Sequence, residues 1–237
     1  MDTATTPVIN HDPARYATDG YCVFRGVLDP ETIAAARREL DALMALAPES
    51  RPEHLVEPHV RHAPWLRLCL DPRVVDRVRA VLGDELMLIM SHLIVKPPFD
   101  GRRVAWHQDR PTWPTVDGDD VATAWLALDD ADAGNGCVRV IPRTHDRARA
   151  IDHGPAPDAV FDLAVDVAAD EERRAVDLCL RAGDLSIHDG RLIHGSEANT
   201  SARRRAGYTM RYADPRTVRI DPAKHWVPIY RVSGAMA

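Results

Sequence analysis

The chain has 237 residues, of which 45% are hydrophobic, and its formal net charge is −6. This length buries a full core, and β barrels or sandwiches of this size often form one domain, so we expect a single domain over residues 1–237. The charge lacks the basic footprint of a nucleic-acid-binding protein, and no stretch approaches the roughly 18 apolar residues of a membrane helix. We therefore expect a small-molecule partner, with no nucleic acid and no membrane.

The first third predicts mainly helix. Residues 29–47 have Asp29 as a helix cap, Pro30 in the first turn and apolar residues at helical spacing. A second helix is expected from Pro72 to Leu82, where Gly83 ends the apolar stripe. Residues 20–28 read as a strand, and the proline-rich segment 47–64 between the helices reads as a loop.

From residue 85 onward the pattern changes to short strand-like segments separated by turn residues. Strands in this number without regular intervening helices predict a mainly β fold, a sandwich or barrel of the jelly-roll kind. We expect a mainly helical N-terminal part over residues 1–84 that packs on a jelly-roll core over residues 85–215. Residues 153–174 break the β pattern and are expected to form a long, partly helical insertion.

The cysteines give a weak signal about location. Cys22, Cys69, Cys137 and Cys179 are scattered without a CxxC pair. This spacing predicts neither a disulfide framework nor a cysteine zinc site. Together with the absence of an apolar leader at the start of the sequence, it favours the cytoplasm.

The stretch "RRVAWHQDRPTWP", residues 102–114, places His107 and Asp109 on the same side of an expected strand. Alone, the pair is a surface pair, a catalytic dyad or two-thirds of a metal site. A second histidine, His194 in "LIHGS", lies on another strand-like segment. Two histidines and one carboxylate form the facial triad of non-heme Fe(II) oxygenases, which leaves three metal positions open.

The sequence also contains a candidate arginine for binding the carboxylate of an organic acid. Arg205 opens the strand "RAGYTMRY", and a bidentate guanidinium is the side chain best suited to bind a carboxylate in a dry barrel. The cosubstrate 2-oxoglutarate needs a metal for its keto acid end and an anchor for its far carboxylate. The alternative is that Arg205 is a solvated member of the run Arg203 to Arg205.

The chain resembles the phytanoyl-CoA hydroxylase-like family of Fe(II)/2-oxoglutarate-dependent dioxygenases, a group that also contains the ectoine hydroxylases. The matching segments are "DGYCVFRGVLDPETI", "KPPFDGRRVAWHQD", "AWLALDDADAGNGCVRVIPRTH", "AGDLSIHDGRLIHGSEANTSARRR" and "RY". The resemblance implies a double-stranded β-helix (jelly roll, cupin-like), Fe(II), 2-oxoglutarate and O2. It implies iron ligation by His107, Asp109 and His194, and a salt bridge from Arg205 to the cosubstrate. Related halogenases lack the carboxylate that Asp109 supplies here.

The resemblance also implies further contacts. Ser196, Trp125 and His92 match positions beside 2-oxoglutarate, although each also suits a structural role. Relatives carry a lysine near Leu55, so that contact is missing in this chain. Lys96 matches the family and is expected to serve the fold or the site rim, and we interpret His188 and His145 as structural.

Substrate contacts are expected from three residues. Trp113 follows the ligand pair at a place where ectoine hydroxylases also carry a tryptophan. Arg211 has the strand parity of Arg205 and is expected to face the same cavity. The alternatives are that Trp113 packs in the core and that Arg211 is a structural arginine paired with a nearby carboxylate. Gln108 points to the other side of the strand, where it orients a neighbour. Together an aromatic wall and a second cation suit a substrate with an apolar body and an acidic or carbonyl-bearing group.

Two alternatives to hydroxylation stay open. One is a cupin-like metal-binding protein without turnover, which does not need the anchor at Arg205. The other is an enzyme with the same cofactors whose outcome is desaturation, epimerisation or ring formation. The sequence does not predict the substrate or the oligomeric state.

Overall fold

The computed structural model describes residues 11–46, 48, 51–146, 151–221 and 223–232. The two predicted helices are confirmed, with bounds Pro30–Ala45 and Pro72–Leu82. The Asp29 side chain accepts a hydrogen bond from the Thr32 amide at 2.8 Å, which caps the first of them. The expected end of that helix at residue 47 lies outside the described residues. The described α-helices are α1 Tyr16–Asp19, α2 Pro30–Ala45, α3 Pro58–Arg61, α4 Ala63–Cys69, α5 Pro72–Leu82 and α6 Ala169–Glu172.

The segment 47–64 is not simply a loop, and that expectation is wrong for its described part. It holds a short 3-10 helix, Pro52–His54, then a two-residue strand and α3, and α4 begins at its end. Pro58 and Pro64 each occupy the first turn of a helix, where a proline costs no hydrogen bond. The prolines therefore start helices here, whereas the sequence reading took them as breakers.

Most strands lie in two antiparallel sheets. The larger has the order β1-β11-β6-β13-β3-β15, with β2 also paired to β3, and the smaller has the order β10-β7-β12-β4. The described strands are β1 Tyr21–Phe24, β2 Leu55–Val56, β3 Leu86–Lys96, β4 Val104–His107, β5 Val116–Asp117, β6 Val121–Ala127, β7 Val138–Val140, β8 His153–Pro155, β9 Leu163–Val165, β10 Val176–Leu178, β11 Leu185–Asp189, β12 His194–Ser196, β13 Arg205–Ala213, β14 Arg219–Ile220 and β15 Tyr230–Val232.

The larger sheet is buried on both faces. On one face, Ala206, Tyr208 and Met210 of β13 pack with the apolar sides of α2, α4 and α5. On the other, a second cluster joins residues of both sheets, including Trp125 of β6 and Val140 of β7. Because side chains alternate along a strand, Arg205, Thr209 and Arg211 of β13 point toward the smaller sheet. The expected jelly-roll core with packed helices is confirmed.

The expected boundaries at residues 84 and 215 do not divide the sheet. The N-terminal β1 pairs with β11, and β15 near the C-terminus pairs with β3. The insertion at residues 153–174 contains β8, β9 and α6, so it is part helical as expected. None of the described helices combines the length and apolar character needed to cross a membrane.

Candidate active site

The two histidines of the expected triad meet across a strand pair. His107 of β4 and His194 of β12 are register partners, and their rings lie 4.1 Å apart. Asp109 follows β4 by two residues, with carboxylate oxygens 3.8 Å from His107 Nε2 and 3.9 Å from His194 Nε2. One ligand atom from each of the three residues lies within 4.8 Å of the other two. The strand pairing therefore brings the three side chains to one point.

The histidines present their Nε2 atoms to this point. The Nδ1 of His107 donates to the Ala105 carbonyl and that of His194 to the Leu192 carbonyl, both at 2.9 Å. A proton on Nδ1 leaves the Nε2 lone pair free for a metal. Burial lowers the pKa of His107 to about 3 and that of His194 to about 4, so both rings are neutral near pH 7.

Asp109 is held as a carboxylate by its neighbours. Thr123 Oγ1 donates to it at 2.6 Å, and the Arg211 guanidinium donates to both of its oxygens at 3.4 Å. Burial alone would raise the pKa of Asp109, but Arg211 and the histidines hold it below its usual range. Two neutral imidazoles and one carboxylate on one side of a point fit an Fe(II) ion with open positions.

The structure places Arg205, Ser196 and Trp125 in a narrow inner cavity that the three triad residues also line. Arg205 is 1% exposed, with Nε 2.9 Å from the Gly136 carbonyl and Nη2 3.3 Å from Ser196 Oγ. Its guanidinium lies 5.4 Å from the Trp125 ring. Arg205 is thus a buried cation in the cavity, and the alternative of a solvated arginine is wrong.

Gly207 makes room for the indole of Trp125. A Cβ atom at Gly207 would lie 2.0 Å from the Trp125 ring, which no side chain tolerates. The ring therefore packs closely against the β13 backbone at Gly207, with the Arg205 guanidinium nearby. This packing closes one wall of the inner cavity with apolar surface.

Trp113 and Arg211 line a larger outer cavity of about 390 Å³, which shares His107 and Asp109 with the inner one. Their side chains are in contact, with the guanidinium 5.5 Å from the ring centroid. His92 also lines this outer cavity and not the inner one, and its Nε2 lies 3.0 Å from the Glu53 carbonyl. His92 therefore lies in the same cavity as His107 and Asp109, and its expected contact with 2-oxoglutarate stays a prediction.

Gln108 lines neither cavity. It is fully buried, and its side-chain amide donates to the Arg191 carbonyl, so the expectation of a substrate contact is wrong. Its opposite orientation to His107 follows from strand alternation. His145 also lies away from both cavities, with Nε2 3.1 Å from the Ala17 carbonyl.

His188 was missed by sequence reasoning. Its ring lies 4.2 Å from that of His194, and Nε2 is 3.9 Å from an Asp109 oxygen in the inner cavity. Neither ring nitrogen has a hydrogen-bond partner among the described residues. Strand alternation could have identified it. Ile187 packs on the helix side of β11, so the next residue, His188, must face the opposite side of the sheet.

Phe161 was also missed. It lines both cavities and lies 5.7 Å from the His107 ring. Its segment carries no periodic pattern, so no sequence signal marked it. Its aromatic side chain therefore contributes to the walls of both the inner and the outer cavity.

Comparison with known proteins places this geometry in a family. The family described as phytanoyl-CoA dioxygenase (PhyH) matches residues 16–207. The chain belongs to the phytanoyl-CoA dioxygenase family. An ectoine dioxygenase from Sphingopyxis alaskensis is 27% identical over 237 residues, covering 89% of this chain and 77% of that protein. Bovine peroxisomal phytanoyl-CoA dioxygenase is 28% identical, covering 65% of this chain and 48% of that protein, so the chain spans about half of its length.

Solved structures agree with the family assignment. The epimerase SnoN, solved with Fe3+, alpha ketoglutarate (2-oxoglutarate) and nogalamycin RO, matches with a TM-score of 0.74 and 26% identity, covering 90% of this chain and 85% of that one. The non-heme monooxygenase ThoJ matches with a TM-score of 0.77 and 27% identity, covering 94% and 84%. The chain is a phytanoyl-CoA dioxygenase family member of the iron and 2-oxoglutarate-dependent class, and its cofactors are iron, 2-oxoglutarate and O2.

Proposed function

We propose that this protein hydroxylates an unactivated carbon of a small-molecule metabolite, with His107, Asp109 and His194 as iron ligands. The observation that carries the proposal is one shared cavity, in which the triad and the buried Arg205 lie together. A metal-binding protein without turnover has no need of a buried guanidinium beside its metal. A dioxygenase that binds 2-oxoglutarate needs both groups.

The proposed roles follow from the contacts of each side chain. Arg205 and Ser196 bind the far carboxylate of 2-oxoglutarate, and Trp125 excludes water from that charge pair. Thr123 and Arg211 hold Asp109 ionised and fixed in direction. When bound, iron(II) and 2-oxoglutarate supply an oxidant made from O2, with release of succinate and CO2. The outer cavity holds the substrate carbon against the triad.

The setting of the enzyme forms part of the proposal. We propose a single domain over residues 1–237 that acts on a small molecule and binds neither nucleic acid nor membrane. The outer cavity of about 390 Å³, a size suited to a small molecule, and the net charge of −6 support this. A cytoplasmic location is supported by the four cysteines, all of which are free thiols.

Two measurements test the proposal. Anaerobic addition of Fe(II) and 2-oxoglutarate should give the visible absorption band of the metal-bound keto acid. A screen of amino acids, acyl carriers and polycyclic metabolites should then find a compound that stimulates succinate release and gains one oxygen atom from 18O2. Absence of the band in folded protein would refute the metal and cosubstrate assignment.

A second outcome, epimerisation, has its own support. The epimerase SnoN is similar over 90% of this chain, and the outcome depends on how the substrate carbon lies in the cavity. Epimerisation leaves no new oxygen in the product. A product of unchanged mass with one inverted centre would favour it over hydroxylation.

A further inference from the structure

The charges of the outer cavity do not favour the acidic substrate that Arg211 suggested in the sequence. Among the described residues, the charged side chains that line this cavity are Glu57, Asp109 and Arg211. Arg211 is already matched, since it donates to both oxygens of Asp109 and, at 3.1 Å, to Thr209 Oγ1. Three of its five N–H groups are thus in use and its charge is matched by Asp109, which makes it a poorer site for a ligand carboxylate than a free guanidinium. Glu57 is therefore the charge that needs a partner.

The backbone fixes Glu57 at the cavity. The preceding strand β2 pairs with β3, and the Glu57 amide donates to the Ser91 carbonyl at 2.9 Å. The residue has φ of 55°, in the left-handed region, and precedes Pro58. Both features are unfavourable for a residue with a side chain. Strain of this kind persists where the surrounding structure imposes it, and it is concentrated at functional sites.

The Glu57 carboxylate has one neutral partner and no ion pair with any described residue. Trp226 Nε1 donates a hydrogen bond to it. Trp226 is 51% exposed and also lines the cavity. Burial raises the pKa of Glu57, although Trp226, His225 and Arg211 oppose the shift. The carboxylate thus pays a desolvation cost that a cationic ligand would offset.

Aromatic side chains surround the same space. Trp113 and Phe161 line the cavity wall, while Trp226 stands at the mouth beside Glu57. Aromatic faces attract cations, and a carboxylate adds a charge-assisted hydrogen bond to a protonated nitrogen. The combination suits an apolar body that carries a positive charge.

We propose that Glu57 and Trp226 form a subsite for a protonated nitrogen, so that the substrate is an amine or amidine with an apolar body that lies between Trp113 and Phe161. The proposal rests on the proposed function, because it assigns the outer cavity to the substrate. It replaces the expectation of an acidic or carbonyl-bearing group on the substrate with that of a cationic group. Glu57 becomes the residue that selects for charge.

The test uses three probes with one carbon skeleton: cyclohexylmethylamine, cyclohexylmethanol and cyclohexanecarboxylate. Binding is followed by quenching of tryptophan fluorescence, with and without Fe(II) and 2-oxoglutarate under anaerobic conditions. The amine should bind at least tenfold more tightly than the alcohol, and the carboxylate should bind most weakly. Glu57→Gln should remove the preference for the amine.

A matched control exists in the same chain. Glu172 accepts a hydrogen bond from Trp106 Nε1 at 3.2 Å on the surface, so Glu172→Gln removes a similar carboxylate from a similar tryptophan outside the cavity. This variant should keep the wild-type preference. An amine that binds no more tightly than the alcohol, or an unchanged preference in Glu57→Gln, would overturn the subsite. Amine selectivity without the iron and 2-oxoglutarate band would instead support the subsite and refute the proposed function.

Discussion

Replacement of Arg205 by alanine should weaken 2-oxoglutarate binding far more than the same change at its neighbours. Arg205 is 1% exposed and shares the inner cavity with the ligand triad. Loss of one partner of a buried, hydrogen-bonded charge pair costs about 2–5 kcal/mol. At about 1.4 kcal/mol per decade, the dissociation constant for 2-oxoglutarate should rise by about 30-fold to several thousand-fold.

The two preceding arginines serve as controls. The Arg203 side chain is 53% exposed and pairs with Asp132, while Arg204 pairs with Asp41 and Asp129 away from the cavity. An exposed pair is worth less than about 1 kcal/mol, so Arg203→Ala should change the dissociation constant by less than about fivefold. Arg204→Ala should affect thermal stability more than cosubstrate binding.

The assay is an anaerobic titration of the iron and 2-oxoglutarate absorption band. Arg205→Ala also frees the carbonyls of Gly136 and Ile94, so its folding must be checked by circular dichroism at the titration temperature. Arg205→Lys retains the charge but loses the planar fork of the guanidinium, so its affinity for 2-oxoglutarate should fall between those of the wild type and Arg205→Ala. Equal effects at Arg203 and Arg205, or unchanged affinity in folded Arg205→Ala, would refute the anchor.

Two further predictions concern the cavity walls and the ligands. His107→Ala and His194→Ala should lose bound iron, measured by metal analysis, with little change in melting temperature, because the core is formed by apolar strand faces. Asp109→Ala should lose iron and also destabilise the fold, because it leaves the buried charge of Arg211 unpaired. The free energy of unfolding should fall by about 3–5 kcal/mol. An unchanged free energy of unfolding would show that other groups stabilise the Arg211 charge. Trp113→Ala should weaken substrate binding while the iron and 2-oxoglutarate band persists, and loss of the band itself would place Trp113 in the cosubstrate site.

The parts of the site that sequence predicted are those set by local geometry. His107 and Asp109 lie two positions apart around the end of one strand, and Arg205 and Arg211 share a face of β13. Strand alternation fixes the second relation without knowledge of the rest of the fold, whereas β4 ends at His107 and Asp109 lies beyond it, so the first relation rests on their closeness in sequence. The segment "LIHGS" on a second strand-like stretch supplied His194, and its meeting with His107 depends on the pairing of β4 with β12.

The parts that sequence missed depend on contacts between distant segments. His188 comes close to Asp109 only because β11 pairs with β6. Its neighbours in sequence indicate which face of the strand it occupies but not which residue it contacts there. For Arg211 the sequence left open a substrate contact or an ion pair with a nearby carboxylate, and the fold identifies that carboxylate as Asp109. Glu57 and Trp226 are far apart in the chain and meet at the cavity mouth. Charge matching between distant segments of this kind cannot be predicted from spacing in the sequence.

Lys96 lies beside the expected carboxylate site of Arg205 and Ser196, and its contribution to 2-oxoglutarate binding can be measured through pH. It is fully buried, and its Nζ lies 2.7 Å from Ser196 Oγ and in contact with the Glu197 carbonyl. Burial and the nearby Arg205 lower the pKa of Lys96 to about 6, against a smaller opposing effect of Glu197. Near pH 7 the free enzyme therefore holds Lys96 mainly neutral.

A carboxylate bound by Arg205 and Ser196 adds a negative charge beside Lys96 and must raise its pKa. Binding of 2-oxoglutarate therefore takes up a proton. The affinity is fully present below about pH 6, the pKa of Lys96 in the free enzyme. It falls by up to about tenfold per pH unit as the pH rises toward the higher pKa of Lys96 in the complex. Calorimetry near pH 7 in two buffers of different ionisation enthalpy should detect this uptake. Lys96→Met should abolish it and flatten the pH dependence. Equal proton uptake by the two proteins would show that Lys96 is structural and that the anchor is Arg205 with Ser196 alone.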